Sequence, residues 1–271
     1  MIDQLGAEGP RVPVLDHGYV QLIEGWGSDA RIVETARMST GKGFVGWEEG
    51  PCPWCDGAGH VIDTESDEST VCLICGGKGK HRGDARLLRH LWENHHDSPF
   101  EFGGLIIEVQ APLMVFREWH RHRTQSYSER SARYAPLPNF NYLPTVDRVM
   151  LNGLTRNKQA GAVKGSEPLT EEFAAEGIQL LDAYYKQGEE LYQHLLRGGW
   201  PKELARLPLT VGRYSTMRAQ AVLRNWLAFL TLRLPPNAQW EIRQYAQQVE
   251  TAVASRFPRT HTLFRERLPG D

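Results

Sequence analysis

The chain has 271 residues, 41% of them apolar and 24% charged, and a formal net charge of -2. That near-neutral balance excludes a global pull toward nucleic acid or an anionic membrane, so any anion recognition has to come from local arginine clusters and the ligand is expected to be small. No run approaches the roughly 18 uncharged apolar residues of a membrane span, and Asp3 and Glu8 fall where a signal peptide would be apolar; the expectation is a globular, cytoplasmic protein, one large domain with or without a small insert.

In chain order, residues 17 to 40 read as a strand carrying Tyr19, Leu22 and Ile23, a turn at Gly25 to Gly27, and a helix capped by Ser28 with Ala30, Ile32, Val33 and Ala36 on it. Residues 41 to 83 change composition abruptly to glycine, cysteine and acidic residues and read as an insert, which a surface loop tolerates because closure entropy grows only logarithmically with length. Residues 84 to 96 give a helix with Leu87, Leu88 and Leu91 at helical spacing. A strand follows, with Leu105, Ile107 and Val109 on one face and Ile106, Glu108 and Gln110 on the other. The period turns helical at Ala111-Pro112, and Pro112 suits a first helical position in a helix reaching about His122.

Residues 135 to 168 hold four prolines and three glycines and read as a long loop, mobile from Asn157 to Gly165. From Thr170 to Arg197 the positions Phe173, Ile178, Leu181, Tyr184, Tyr185, Leu191 and Leu195 predict one long amphipathic helix closed by Gly198-Gly199, its aromatic residues in the core. Glu203 to Phe257 reads as two helices with a turn near residue 235. No internal repeat is visible in these elements.

Within the insert, Cys52-Pro53-Trp54-Cys55-Asp56-Gly57-Ala58-Gly59 and Cys72-Leu73-Ile74-Cys75-Gly76-Gly77-Lys78-Gly79 are two copies of Cys-x-x-Cys-x-Gly-x-Gly, sixteen residues apart. Two knuckles of this kind suit a structural zinc held by Cys52, Cys55, Cys72 and Cys75, and four thiolates leave no open coordination position for catalysis. The pattern is similar to the zinc modules of J-domain co-chaperones across some two dozen residues. The acidic stretch Asp63 to Glu68 argues against a nucleic-acid role for the insert.

The run Arg121-His122-Arg123-Thr124-Gln125-Ser126-Tyr127-Ser128-Glu129-Arg130-Ser131-Ala132-Arg133-Tyr134 packs four arginines, a histidine and several hydroxyls into fourteen residues. It reads either as an anion site or as a solvated basic face. Arg-His-Arg, seven residues, then Ser131 resembles the signature of the flavin-dependent thymidylate synthases. So do Gly27-Ser28-Asp29 through Ala36-Arg37-Met38-Ser39, the string His96-Asp97-Ser98-Pro99-Phe100-Glu101, and Leu230-Thr231-Leu232-Arg233 with Ala238-Gln239-Trp240-Glu241-Ile242. The resemblance spans roughly residues 15 to 40 and 84 to 260, and divides the chain into a synthase domain (1–40 and 84–271) and an inserted zinc-binding module (41–83).

What the resemblance implies is an α+β fold with a central, mainly antiparallel sheet flanked by long helices, and a homotetramer with shared active sites. The implied reaction is reductive methylation of dUMP to dTMP with methylenetetrahydrofolate, reduced FAD and NADPH. With all four cysteines in the zinc pairs, composition also disfavours a covalent cysteine route to C6 of the pyrimidine. Position by position, Arg121, Glu129, Ser131, Arg133, Arg206 and Arg233 match nucleotide contacts. Ser39, Ser98, Glu101, Arg121, His122, Arg123, Arg224 and Asn237 match flavin contacts. His96 matches a histidine near the folate, against the plainer reading of a helix-terminal histidine on the dipole. Arg233 is the expected catalytic residue, since a fixed guanidinium stabilises negative charge on the ring and does not deprotonate; a structural salt bridge is the alternative. Glu118 stands where the family commonly has glutamine, Asn237 where it often has histidine, and Val222 and Ala228 where asparagines are usual. Glu118 leaves open a flavin enzyme of the same fold acting on another pyrimidine nucleotide, by dCMP methylation or by hydroxymethylation of dUMP or dCMP. The second alternative is a zinc-containing nucleic-acid-binding protein.

Overall fold

A computed structural model describes residues 8–62, 68–151, 160–163 and 166–268. Asp3, the acidic residues 63 to 67, and most of the stretch expected to be mobile (157–159 and 164–165) lie outside the described residues.

The elements run β1 (Val12–Val14), β2 (Gly18–Trp26), α1 (Asp29–Ala36), a 3-10 turn (Arg37–Thr40), β3 (Gly50–Pro51), β4 (His60–Ile62), β5 (Ser69–Val71), β6 (Lys80–His81), α2 (Asp84–Glu93), a second 3-10 turn (Ser98–Glu101), β7 (Gly104–Pro112), α3 (Leu113–Trp119), β8 (Ser126–Glu129), α4 (Val146–Leu151), α5 (Glu171–Arg197), α6 (Lys202–Ala205), β9 (Tyr214–Val222), α7 (Leu223–Arg233), α8 (Trp240–Arg256) and α9 (Pro258–Arg267). A five-stranded sheet has the order β1-β2-β7-β9-β8, with antiparallel pairing of β1 on β2 and of β8 on β9. The expected α+β class holds.

β7 owes its place to strict alternation: Leu105, Ile107, Val109 and Ala111 are fully buried on one face, while Ile106, Glu108 and Gln110 are half-buried on the other. β9 repeats the pattern with Met217, Ala219 and Ala221 inward and Arg218 and Gln220 outward. This strand corrects the expectation of two helices over 203–257. Alanine and glutamine favour helix locally, yet their period is two, and pairing within the sheet overrides local propensity. The expected turn near residue 235 lies between α7 and α8. Pro112 ends β7 in extended conformation instead of opening the helix, and part of the arginine run is strand β8. Ser28 caps α1 by accepting from the Arg31 amide, and Thr170 caps α5 by accepting from the Phe173 amide.

The chain forms two compact units. The first comprises Met1–Glu24, Ile106–Gln220 and Phe229–Glu250; the second comprises Gly25–Leu105, Ala221–Ala228 and Thr251–Asp271. In the first, Tyr245 donates to the Gln110 carbonyl (3.0 Å), and a Cβ on Gly18 would meet the Tyr245 hydroxyl, so a side chain there has no room. In the second, buried Asp29 accepts from the Arg259 and Thr260 amides (2.8 and 3.1 Å) and from the Thr260 hydroxyl (2.6 Å), capping the first turn of α9. The core placement expected for α5 fails in part: Tyr192 is buried, but Phe173, Leu180, Tyr184 and Leu191 are exposed.

Candidate active site

The arginine run leaves α3 at a tight turn. The His122 amide donates to the Trp119 carbonyl (3.0 Å), and Trp119 donates through its indole N–H to Gln125 (3.0 Å). Tyr127, from β8, donates to the carbonyls of His122 (2.7 Å) and Trp119 (3.1 Å). A side chain thus fixes the backbone that carries Arg121, His122 and Arg123. Arg121 and Arg123 are exposed and His122 is buried, its ring edge-on to Phe229 (4.9 Å).

Arg233, the last residue of α7, meets that turn. Its Nε–H donates to His122 Nε2 (2.9 Å), Nη1 to Glu118 Oε2 (3.0 Å) and Nη2 to the Glu118 carbonyl (2.9 Å). Glu118 Oε1 also lies 3.6 Å from Arg121 Nη1. Because Nε2 accepts, His122 is neutral with its proton on Nδ1. Its pKa agrees: burial first, then the Arg233 cation and more weakly Arg121, pull it down to about 4, with Glu118 opposing. Arg233 is therefore a guanidinium pinned at three corners, with two of its five N–H donors left over.

Glu118, Arg121, Arg233 and Asn237 line one cleft of about 950 Å³, together with Arg148, Glu241 and Arg243. The bidentate Arg148–Glu241 pair (2.8 and 3.2 Å) forms one wall, with Tyr142 donating to the same carboxylate. Arg148 and Arg243 escaped sequence reasoning, as nothing in their spacing marks them, and Glu241 entered it only as part of the string Ala238 to Ile242, with no role. The three pinning contacts on Arg233 were equally illegible, although Glu118 and Arg121 at i,i+3 gave a hint.

The other candidates separate into smaller groups. Glu129 lines a hollow of about 550 Å³ with Tyr19, Glu108 and Arg218; there bonds from Arg218 and Tyr19 hold Glu108 below the usual carboxylate range against the effect of burial. Ser131 accepts from the Arg133 amide (3.3 Å). Arg133 pairs with Glu203 (3.2 Å), whose carbonyl accepts from Arg206 (3.3 Å), so those two arginines share one neighbourhood at α6. In the second unit, Arg224 bridges Glu101 (2.7 Å) and Asp97 (3.7 Å) beside Ser98. His96 is exposed and stacked on His90 (5.7 Å), and Ser39 is exposed on the first 3-10 turn.

The four cysteines come together. Cys52 and Cys72 sulfurs are 3.9 Å apart, Cys55 and Cys75 sulfurs 3.8 Å, and all four lie within 4.8 Å of one another and are buried. The chain closes on itself twice in the same way, the Cys52 amide donating to Gly79 and the Cys72 amide to Gly59 (2.9 Å each). Gly57, Gly59, Gly77 and Gly79 all take positive φ, and a Cβ on Gly79 would lie 2.2 Å from the Gly57 carbonyl oxygen.

Residues 21–259 match the model of a family described as thymidylate synthase complementing protein. The chain belongs to that family. A flavin-dependent thymidylate synthase of Thermus thermophilus is 36% identical over 264 residues, covering 96% of this chain and 81% of the relative. One from Gluconobacter oxydans is 31% identical, covering 93% and 72%. Among solved structures, a UMP/dUMP methylase PolB from Streptomyces cacaoi bound with 5-Br UMP superposes with a TM-score of 0.69 at 28% identity, covering 95% of this chain and 97% of that one. The protein is thus a methyltransferase of the flavin-dependent thymidylate synthase family, which decides against the nucleic-acid-binding alternative. Among the described residues no helix is long and apolar enough to cross a membrane.

Proposed function

We propose that the protein methylates dUMP to dTMP, with methylenetetrahydrofolate as carbon donor and reduced FAD, recharged by NADPH, as reductant. The observation that carries this reading is the pinned guanidinium of Arg233 in a cleft it shares with Arg121. A pyrimidine has to become nucleophilic at C5, which builds negative charge on its ring oxygen and nitrogen. The two remaining N–H donors of Arg233 suit that charge without reorganisation. Arg121 and the Arg133–Arg206 pair supply cations for phosphate, and Glu129 can accept from a sugar hydroxyl. All four cysteines are gathered in one cluster, so no thiol is left to add to C6.

We assign flavin contacts to Arg121, His122, Arg123 and Asn237 in the first unit and, separately, to Ser39, Ser98, Glu101 and Arg224 in the second; as residue types they offer the hydrogen-bond partners that an isoalloxazine and a diphosphate require. When bound, FAD supplies the hydride. We assign His96 to the vicinity of the folate. The exposed apolar residues of α5 favour a homotetramer in which sites are shared. We assign residues 41–83 to an inserted module with a structural zinc on Cys52, Cys55, Cys72 and Cys75, and the enzyme to the cytoplasm, where such thiols stay reduced.

A second reading is methylation of the ribonucleotide UMP, favoured by the structural likeness to a methylase bound with 5-Br UMP. The cytosine alternative loses ground because the Glu118 carboxylate that would attract an exocyclic amine already faces two guanidinium groups. Protein reconstituted with FAD should show a flavin absorption band. Incubation with methylenetetrahydrofolate, NADPH and either dUMP, UMP or dCMP, followed by product mass, should give dTMP from dUMP. Methylation of dCMP alone, or colourless protein that takes up no FAD, would overturn the proposal.

A further inference from the structure

We infer that metal binding by the four cysteines and flavin binding are thermodynamically linked through Asp84, a positioning residue. The inference rests on the proposed flavin contacts Ser39, Ser98 and Glu101.

A tetrahedron of sulfurs about 2.3 Å from a zinc has edges of about 3.8 Å, which the 3.9 and 3.8 Å separations match; a disulfide would need about 2.05 Å. The Gly59 amide donates to Cys55 Sγ (3.2 Å), a contact that favours the thiolate. Among the described residues, the sulfurs hold together two knuckles joined to the remainder of the chain by one regular element, the ribbon β3–β6, two residues per strand. A ribbon that short is not stable without a further closure.

At the base of the ribbon both ends of the module converge on one carboxylate. Asp84 opens α2 and its side chain is fully buried. Its Oδ2 accepts from the Val45 amide (2.7 Å), while the Asp84 and Ala85 amides donate to the carbonyls of Gly46 (2.8 Å) and Trp47 (3.1 Å). The segment entering the module, residues 45 to 47, is thereby stitched over the N-terminus of α2 and covers the carboxylate. Gly83 (φ 79°) permits the approach, since a Cβ there would lie 2.5 Å from the Trp47 carbonyl oxygen. The other oxygen of Asp84 pairs with Arg37, the first residue of the 3-10 turn that carries Ser39. α2 in turn leads into Ser98 and Glu101. Asp84 therefore fastens one proposed flavin element to the helix that delivers the others, and the module keeps that fastening dry.

With the metal gone, the ribbon opens, Asp84 and Arg37 become solvated, and an exposed ion pair holds the turn weakly. Linkage is reciprocal, so flavin should also tighten metal binding.

The test uses full-length protein loaded with zinc, or with cobalt for its thiolate absorption. FAD affinity is measured before and after chelation, in a Cys55→Ser/Cys75→Ser double variant and in Asp84→Asn, with dUMP affinity as control, because the proposed nucleotide residues lie in the first unit. Chelation and the double variant should weaken FAD about tenfold, within the ordinary range of coupling between sites, and leave dUMP affinity within about twofold. Asp84→Asn should retain zinc yet weaken FAD similarly, an effect that general unfolding would not separate from dUMP binding. Saturating FAD should raise the chelator concentration needed to remove half of the zinc at equilibrium. Unchanged FAD affinity after loss of metal, or protein that binds no zinc or cobalt, overturns the linkage alone. Failure of zinc-loaded wild-type protein to take up FAD overturns the flavin reading and this inference with it.

Discussion

The cysteine module and the arginine cleft are both clusters of reactive side chains, built in opposite ways. The module is assembled from 28 residues of contiguous sequence, Cys52 to Gly79, and its geometry follows from spacing: two residues between thiols and glycines where the chain must take positive φ. The cleft draws on Glu118 and Arg121 after β7, Arg148 on α4, and Arg233 to Arg243 at the junction of α7 and α8. Local spacing is enough to gather four thiols within 4.8 Å of one another. A site that must leave room for a substrate has to be held open by the fold, and its key contacts span more than a hundred residues.

If that contrast is right, single substitutions in the cleft should have large effects on rate. Arg233→Ala should lower kcat by about 100- to 1000-fold, the ordinary cost of deleting a donor aimed at developing charge, measured by steady-state turnover of dUMP with the folded state checked by circular dichroism. A loss of only a few-fold would make Arg233 structural. Arg148→Ala tests the wall of the cleft: it strands Glu241, only 3% exposed, without its cation, and should cost about 3 kcal/mol of stability, read from denaturant unfolding. Glu118→Ala removes one of the three anchors of Arg233, since the backbone carbonyl and His122 remain; kcat should fall about tenfold, the worth of one charge-assisted hydrogen bond, with nucleotide KM little changed. Glu118→Gln, which keeps an acceptor, should recover most of that.

The same contrast explains what could be read from the chain. The cysteine cluster, the Ser28 cap, the alternation of β7 and the length of α5 all depend on residues a few positions apart, and each was legible. β9 was not, because alanines and glutamines carry weak strand preference and its place is decided by partners on β8 and by its position next to β7 in the sheet. The exposed face of α5 was read as core because helical periodicity reports that a face is apolar without saying what covers it. In the cleft, the arginines were visible as residue types, whereas the contacts that fix Arg233 and the Arg148–Glu241 wall depend on tertiary approach and left no local trace.

The smallest expected effect is also the one that most directly asks whether the long-range contact exists. Burial and the neighbouring Arg233 lower the pKa of His122 to about 4. In the unfolded chain its ordinary value is 6.5. Above 6.5 both states are neutral and the residue contributes no pH dependence. As the pH falls from 6.5 toward 4 the unfolded state binds a proton that the folded state refuses, so stability is lost across that window and not above it. In wild-type protein the His122 ring resonances should stay flat from pH 7.5 to about 5. In Arg233→Ala, where the nearby cation is removed, the midpoint should move up toward 6.5, though not all the way, because burial is the larger cause. A wild-type midpoint already near 6.5 would mean that the α7 guanidinium does not rest on the imidazole, and the cleft would then be no more preorganised than an exposed basic turn.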